Sequence, residues 1–377
     1  MDPTLRLLKQ LIAIDSINPS LVPGAAGEAA IARAIVEEFR SIGLAVEVQD
    51  VAPGRPNVVG VLDGRAPGRS LIYCGHIDTV GVSGMTRPFD PAERDGRIFG
   101  RGSQDMKAGV AAMIGAARVV AESGGLDAGR LVIACVVDEE HSSIGADALV
   151  TKWRADAGVV TEPTDLRVAI AHKGFEWVEI ETEGRAAHGS RPQEGRDAIR
   201  LMGRVLAGLD ALDRELQSRP PHPLLGTASL HASLIHGGHE LSSYPDRCHL
   251  EMERRTIPGE APGSAFLEAQ SLLERLRAED AEFKALSRVM FARSPHEIPA
   301  NHPLPVAMRA AIKPGKPAPY IGMSFWTDAA VLSEAGIPSI LFGPTGGGLH
   351  SIEEWVEVQS VLTCRDALVN LARDWCR

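Results

Sequence analysis

Leu71-Ile72-Tyr73-Cys74-Gly75-His76-Ile77-Asp78 is an apolar run of strand length that ends in a small residue and then in a histidine and an aspartate two apart. In open α/β sheets, functional groups gather beyond the carboxyl ends of the strands. Histidine is the commonest metal-binding side chain. A ligating imidazole usually gives its other N–H to a carboxylate, a carbonyl or water. Asp78 could serve His76 in that way, and a histidine satisfied within a turn is the equal alternative on this segment alone.

Outward from this strand the pattern alternates. Leu5, Leu8, Leu11 and Ile12, and then Ile31, Ile35 and Phe39, have helical spacing. Short β-rich runs follow at 46–51 and 58–62, a helix pattern at 106–120, an apolar strand at 131–137, a helix at 144–153 and a strand at 157–160. Helices interleaved with apolar strands predict an α/β sandwich around a central sheet. After Lys173-Gly174 the texture changes. Residues 175–183 alternate apolar and polar, as a strand with one solvated face does. An amphipathic helix carries Ile199, Met202, Val205, Leu206, Leu209 and Leu212, strands are read at 228–235 and 247–253, and a second helix carries Phe266, Leu272, Leu273 and Leu276. The α/β texture returns after Arg288, with a strand at 338–342 and a helix from 358. The chain of 377 residues is long for one hydrophobic core. The predicted organisation is a split α/β catalytic domain, 1–174 and 289–377, with a central mixed sheet flanked by helices and an inserted α+β domain at 175–288.

Four further segments carry chemistry. Asp105 follows the glycine-rich turn Gly100-Arg101-Gly102 and precedes a helix, so helix capping is its ordinary alternative. Asp138-Glu139-Glu140 and Glu162 each close an apolar strand, and the alternative for each is a solvated strand end. Three carboxylates in a row are unfavourable unless something positive neutralises them, and a divalent metal pair would. His350 follows Gly346-Gly347-Gly348-Leu349, where a plain loop histidine is the alternative. Together these segments deliver two imidazoles and several carboxylates to one end of one sheet, a mixture that suits zinc or a similar divalent ion. The net charge of −10 argues against nucleic acid, which needs a basic face. No stretch approaches 18 apolar residues, so no membrane span is expected. The amino-terminal sequence lacks secretory features, and five scattered cysteines suggest reduced, buried thiols; a cytoplasmic location is the expectation.

In combination these motifs resemble the zinc-dependent M20 metallopeptidase family, which includes acetylornithine deacetylase, succinyl-diaminopimelate desuccinylase, aminoacylase-1 and glutamate carboxypeptidase. The resemblance covers nearly the whole chain, with Gly75-His76-Ile77-Asp78-Thr79-Val80, the Gly100–Gly109 stretch, Asp138-Glu139-Glu140, Thr161-Glu162-Pro163-Thr164 and His350 in the family's order. It implies two divalent ions, zinc with cobalt as the alternative, bridged by Asp105. His76 and Glu162 would complete one site, and Glu140 and His350 the other. It implies Asp78 as the partner of His76, Glu139 as general base, and a cis Asp105–Met106 bond.

The inserted domain resembles the family's lid or dimerisation domain. Gly184-Arg185-Ala186-Ala187-His188-Gly189-Ser190 matches its signature, which implies that His188 stabilises the oxyanion and that the protein is a homodimer through this domain. Arg254-Arg255-Thr256-Ile257-Pro258-Gly259 matches the segment whose arginine holds a substrate carboxylate, and the spacing to Pro258 selects Arg255. The chain departs from the family at Ser242, where asparagine is frequent at the lid's substrate contact, and at His141, where a small residue is frequent. Phe325-Trp326-Thr327-Asp328-Ala329 resembles a segment near the family's pocket, with Trp326 either an aromatic wall or core. The implied reaction is hydrolysis of the amide bond of an N-acyl amino acid, with a dipeptidase or glutamate-type carboxypeptidase as the alternative. A dinuclear phosphodiesterase would need clustered basic residues, and a non-catalytic binding protein would be expected to have lost Glu139 or a ligand.

Overall fold

The strand Ser70–His76 is covered on both faces, with Leu71, Ile72, Tyr73 and Cys74 all completely buried. Such a strand has no solvated side to alternate toward, which is why its sequence is continuously apolar. A computed structural model describes residues 1–312 and 318–377 and divides them into two units. The first holds Met1–Ile170, Ile298–Ile321 and Thr327–Arg377. Its sheet runs Ala45–Ala52, Arg55–Asp63, Arg130–Val136, Ser70–His76, Ala157–Val160, Ser339–Leu341 and Ala169–His172. The four strands from Arg130–Val136 to Ser339–Leu341 are parallel, and the two before them antiparallel. The central mixed sheet flanked by helices that the pattern predicts is therefore present.

Register fixes where the chemistry falls. Cys74 lies opposite Ala134 and Val160, His76 opposite Val136, and Val160 opposite Leu341. The carboxyl ends of the four parallel strands thus open at one end of the sheet. The helix Lys107–Glu122 crosses beneath them, and it is apolar nearly all round because its residues from Lys107 to Ala117 are all buried. Glycine permits one close approach: a Cβ on Gly109 would stand 1.9 Å from the carbonyl oxygen of Thr161. The C-terminal helix Val358–Trp375 is tied to the central strand by the Tyr73 hydroxyl, which donates to the Leu368 carbonyl at 2.6 Å.

A smaller sheet in the same unit was not legible in the sequence. It pairs Gly346–Gly347, Trp355–Glu357, Arg97–Phe99 and Ala92–Arg94 in that order. Its strands of two or three residues are too short to show periodicity, yet they bracket the loop that carries His350.

The second unit holds Ala171–Glu297 and Gly322–Trp326, against the expected 175–288. Its antiparallel sheet runs Ser229–Gly237, Arg247–Thr256, Gly174–Glu183 and Lys284–Arg293. The last of these strands crosses residue 288, and most of its side chains are exposed or half-buried, so it carries little of the apolar signal that marks a strand. The helices Ala198–Ser218 and Ser264–Glu279 supply Met202, Val205, Leu272 and Leu273 to a core with Val178, Ile180, Leu250 and Met252 from the sheet. All five cysteines are buried free thiols. Among the described residues no helix is long and apolar enough to cross a membrane.

Gly109→Ala tests the helix–strand approach. Overpacking a filled interior costs about 1–3 kcal/mol, and a Cβ facing a backbone carbonyl has no flexible neighbour to displace. Urea unfolding should show a loss at or above the top of that range; an unchanged midpoint would contradict the packing described.

Candidate active site

Asp105 lies between two imidazoles. Its Oδ1 is 3.0 Å from His76 Nε2 and its Oδ2 is 3.2 Å from His350 Nε2. It does not cap the following helix, which has Met106 in the cap position and no side-chain cap hydrogen bond. The Asp105–Met106 peptide is cis. On one side, His76 Nε2 lies 3.7 Å from Glu162 Oε1 and 3.9 Å from Glu139 Oε2. On the other, His350 Nε2 lies 3.1 Å from Glu140 Oε2. The ligand atoms of His76, Glu139 and Glu162 fall within 4.8 Å of one another, as do those of His76, Asp105 and Glu140. Strand ends deliver His76, Glu139, Glu140 and Glu162, and loops deliver Asp105 and His350.

The electrostatics of this group are strained. Burial pushes the Glu139 and Glu162 carboxyls well above the usual range, and each is pushed further by Asp328 and by the other carboxylates. Burial and the neighbouring Asp105 push Glu140 up to about 7. Burial opposes charge on His76 as well, but hydrogen bonding to Asp105 and Asp78 holds its imidazole well above the usual value. His350 is pushed up to about 10 by hydrogen bonds to Asp105 and Glu140. Glu140 Oε1 is buried and, among the described residues, has no hydrogen-bond partner. Packed carboxylates with an orphaned oxygen, interleaved with two imidazoles, form a donor set that fits divalent cations, whose charge inverts this pKa logic.

Behind the group lies a scaffold that the sequence reading missed in part. His76 Nδ1 faces the Asp78 carbonyl at 3.0 Å and Asp78 Oδ1 at 3.6 Å, which places the ring proton there and leaves Nε2 for the cluster. Asp78, fully buried, also accepts from the backbone N–H groups of Glu139 and Glu140, both at 3.2 Å, and from Asn18 Nδ2 at 2.8 Å. Asn18 Nδ2 reaches Asp138 Oδ1 at 3.0 Å, and Arg55 Nη1 pairs with the same oxygen at 2.8 Å. Arg55 in turn forks onto the buried Glu28. Asp138, at the start of the acidic triplet, is thus neutralised from behind. His141 is half-buried with Nδ1 against Ser142 Oγ at 2.8 Å.

The remaining candidates belong to the second unit. His188 is exposed, and its Nδ1 is engaged by Ser190, with the N–H at 3.2 Å and the hydroxyl at 2.8 Å, contacts that do not involve Nε2. The Ser242 carbonyl accepts from Gly189 N at 2.7 Å, so Ser242 lies against the His188 loop. Arg254 is fully buried and used up by Glu260 and Glu268. Arg255 is half-buried, pairs with Glu253 at 2.7 Å and has its guanidinium 5.4 Å from the Phe175 ring centre. Trp326 is buried in an aromatic group with Phe175 and His172, and its Nε1 donates to the Ser294 carbonyl at 3.1 Å. That is a packing role, one of the two read from sequence.

Residues 72–374 match the model of the peptidase family M20/M25/M40, and the chain belongs to that family of metal-dependent hydrolases. The chain is 28% identical to N-formyl-4-amino-5-aminomethyl-2-methylpyrimidine deformylase of Bacillus subtilis, over 90% of this chain and 87% of the relative. It is 28% identical to acetylornithine deacetylase of Photorhabdus laumondii, over 100% and 98%. A tripeptidase from Staphylococcus aureus shares the fold with a TM-score of 0.82 at 21% identity, covering 99% of this chain and 98% of its own. A dinuclear metal-binding peptidase of the M20 family from Bacillus subtilis shares it with a TM-score of 0.76 at 16% identity, covering 99% and 97%.

Arg55→Met would strand Glu28 and Asp138 as buried charges. Breaking a buried ion pair from one side costs about 3–5 kcal/mol, so urea unfolding should show a loss of that order. A loss below about 1 kcal/mol would mean that the scaffold does not depend on this charge.

Proposed function

We propose that this protein is a two-metal amidohydrolase that removes the acyl group from a small N-acyl amine, with an N-acyl amino acid as the substrate class and zinc as the metal. The observation that carries the reading is the sharing of Asp105 between His76 and His350, with Glu162 on one side and Glu140 on the other. In this reading His76, Asp105 and Glu162 would hold one ion, and Asp105, Glu140 and His350 the other. Held there, divalent cations would supply Lewis acidity, which would lower the pKa of a bound water and polarise the acyl oxygen. The deformylase and the deacetylase to which the chain is similar support an acyl group on nitrogen as the target.

Glu139 is assigned as the proton carrier. It stands beside the cluster at 3.9 Å from His76 Nε2, and its carboxylate is of the type that accepts a proton and gives it back in general acid–base catalysis. It takes a proton from the attacking water and returns it to the leaving nitrogen, so that amide and water become carboxylate and amine. His188, whose Nδ1 is engaged by Ser190, is assigned through Nε2 as the donor to the developing oxyanion. Arg255 is assigned to the substrate carboxylate, because Arg254 is already saturated, and Ser242 to a contact in the same loop pair. A homodimer through the second unit belongs to this reading; the edge strand Ser229–Gly237, with Leu234 and Ile235 exposed, supports it.

Glu139→Gln keeps the size and removes the proton acceptor. Steady-state kinetics on N-formyl, N-acetyl and N-succinyl amino acids should show kcat falling by about 10²–10⁴ with KM little changed; near-normal turnover would refute the assignment. The same panel run beside dipeptides tests the substrate class, which fails if dipeptides are cleaved and the N-acyl amino acids are not.

A further inference from the structure

Glu354 follows His350 by four residues, at the far end of the loop bracketed by Gly346–Gly347 and Trp355–Glu357. It is buried, with 1% of its surface exposed. Its carboxylate accepts four hydrogen bonds, all from the segment that ends in Asp105. Oε1 takes the backbone N–H of Gln104 at 2.8 Å and of Asp105 at 3.0 Å. Oε2 takes the N–H of Gly102 at 3.0 Å and Arg101 Nη1 at 2.6 Å. The Glu354 carbonyl also accepts from Gly100 N at 3.1 Å.

Further contacts close the two loops on each other. Arg101 Nη2 donates to the Ser351 carbonyl at 3.0 Å. Gly348 sits at φ +85°, where a Cβ would meet the Glu353 carbonyl at 1.9 Å, so the 348–354 loop turns back tightly upon itself. We infer that Glu354 is a positioning residue of the metal centre: its carboxylate fixes the loop that carries Asp105 and ties it to the loop that carries His350.

The argument is one of donors and direction. The backbone N–H groups of Gly102, Gln104 and Asp105, in a turn folded against buried Glu354, need acceptors. With its own N–H taken by Glu354, Asp105 has no local partner for its side chain within that turn, and both carboxylate oxygens reach the imidazoles instead. Because Glu354 and His350 share one short loop, the Glu354 carboxylate ties the position of Asp105 to that of His350. The inference rests on the reading of Asp105 and His350 as metal ligands.

The test uses the full-length protein as wild type, E354D, E354Q and E353Q. Glu353 is an exposed neighbour with a loose ion pair to Arg94 at 3.6 Å, and E353Q serves as the control. Each protein is stripped with chelator, its metal-free thermal midpoint is recorded, and zinc is titrated back against a chromophoric competitor; cobalt(II) absorption reports the coordination geometry. Wild type and E353Q should take two equivalents with equal affinity. E354Q should bind zinc about 10–100-fold more weakly, the range seen when partners of metal ligands are removed. E354D keeps the charge opposite Arg101 but is one methylene too short to reach all four donors, so it should fall between and show an altered cobalt spectrum. It also carries the test if E354Q does not fold. If E354D and E354Q bind both ions as wild type does, even with a lowered metal-free midpoint, the role is structural only and the inference falls alone. A wild type that binds no zinc would sink the two-metal reading and this inference with it.

Discussion

The constraint on which this structure turns is the crowding of like charge. Asp105, Glu139, Glu140 and Glu162 converge around two imidazoles at one end of an open, apolar sheet. Nothing in the hydrophobic core recommends that arrangement, since burial alone pushes the three glutamates toward their neutral forms. A fold that brings them together must hold each backbone in place by other means, and the buried hydrogen bonds of Asp78 and Glu354 do this. The parallel strands give a rigid rim, and Gly109 lets the central helix approach it closely.

Two anchors divide the work. Asp78 gathers the His76 ring at its carbonyl, and the backbone of Glu139 and Glu140 and the Asn18 amide at its carboxylate, so one buried residue sets the position of three groups in the cluster. Glu354 does the same for the opposite side by holding the Asp105 turn beside His350. Both anchors are acids satisfied by hydrogen-bond donors; Arg101 pairs with Glu354 directly, and Arg55 pairs with Asp138, which shares the Asn18 amide with Asp78. The positive charge stays behind the cluster, where it supports the fold without competing for the ligand atoms.

Much of this was legible in the sequence, and the rest was not for physical reasons. Long apolar strands such as Leu131–Val137, with acids immediately after them, announce both the sheet and the end at which chemistry gathers. The resemblance carried by His76, Asp105, Glu140, Glu162 and His350 then implied their pairing. Glu354 gave no signal, because a glutamate next to Glu353 in a polar loop reads as solvated until the donors around it are seen. Asn18 and Arg55 were silent for the same reason: their partners lie 27 to 120 residues away. The strand Lys284–Arg293 escaped because its side chains are mostly not buried. His188, Ser242 and Arg255 were visible through the resemblance alone; the roles proposed for them turn on substrate contacts that periodicity cannot report.

The most direct test of the central claim is anomalous X-ray diffraction at the zinc absorption edge, from crystals of the protein grown with zinc. The account predicts two strong peaks per chain flanking the Asp105 carboxylate, one against His76 and Glu162 and the other against Glu140 and His350. Anomalous density absent from this cluster in zinc-saturated crystals, or two ions bound elsewhere, would contradict it.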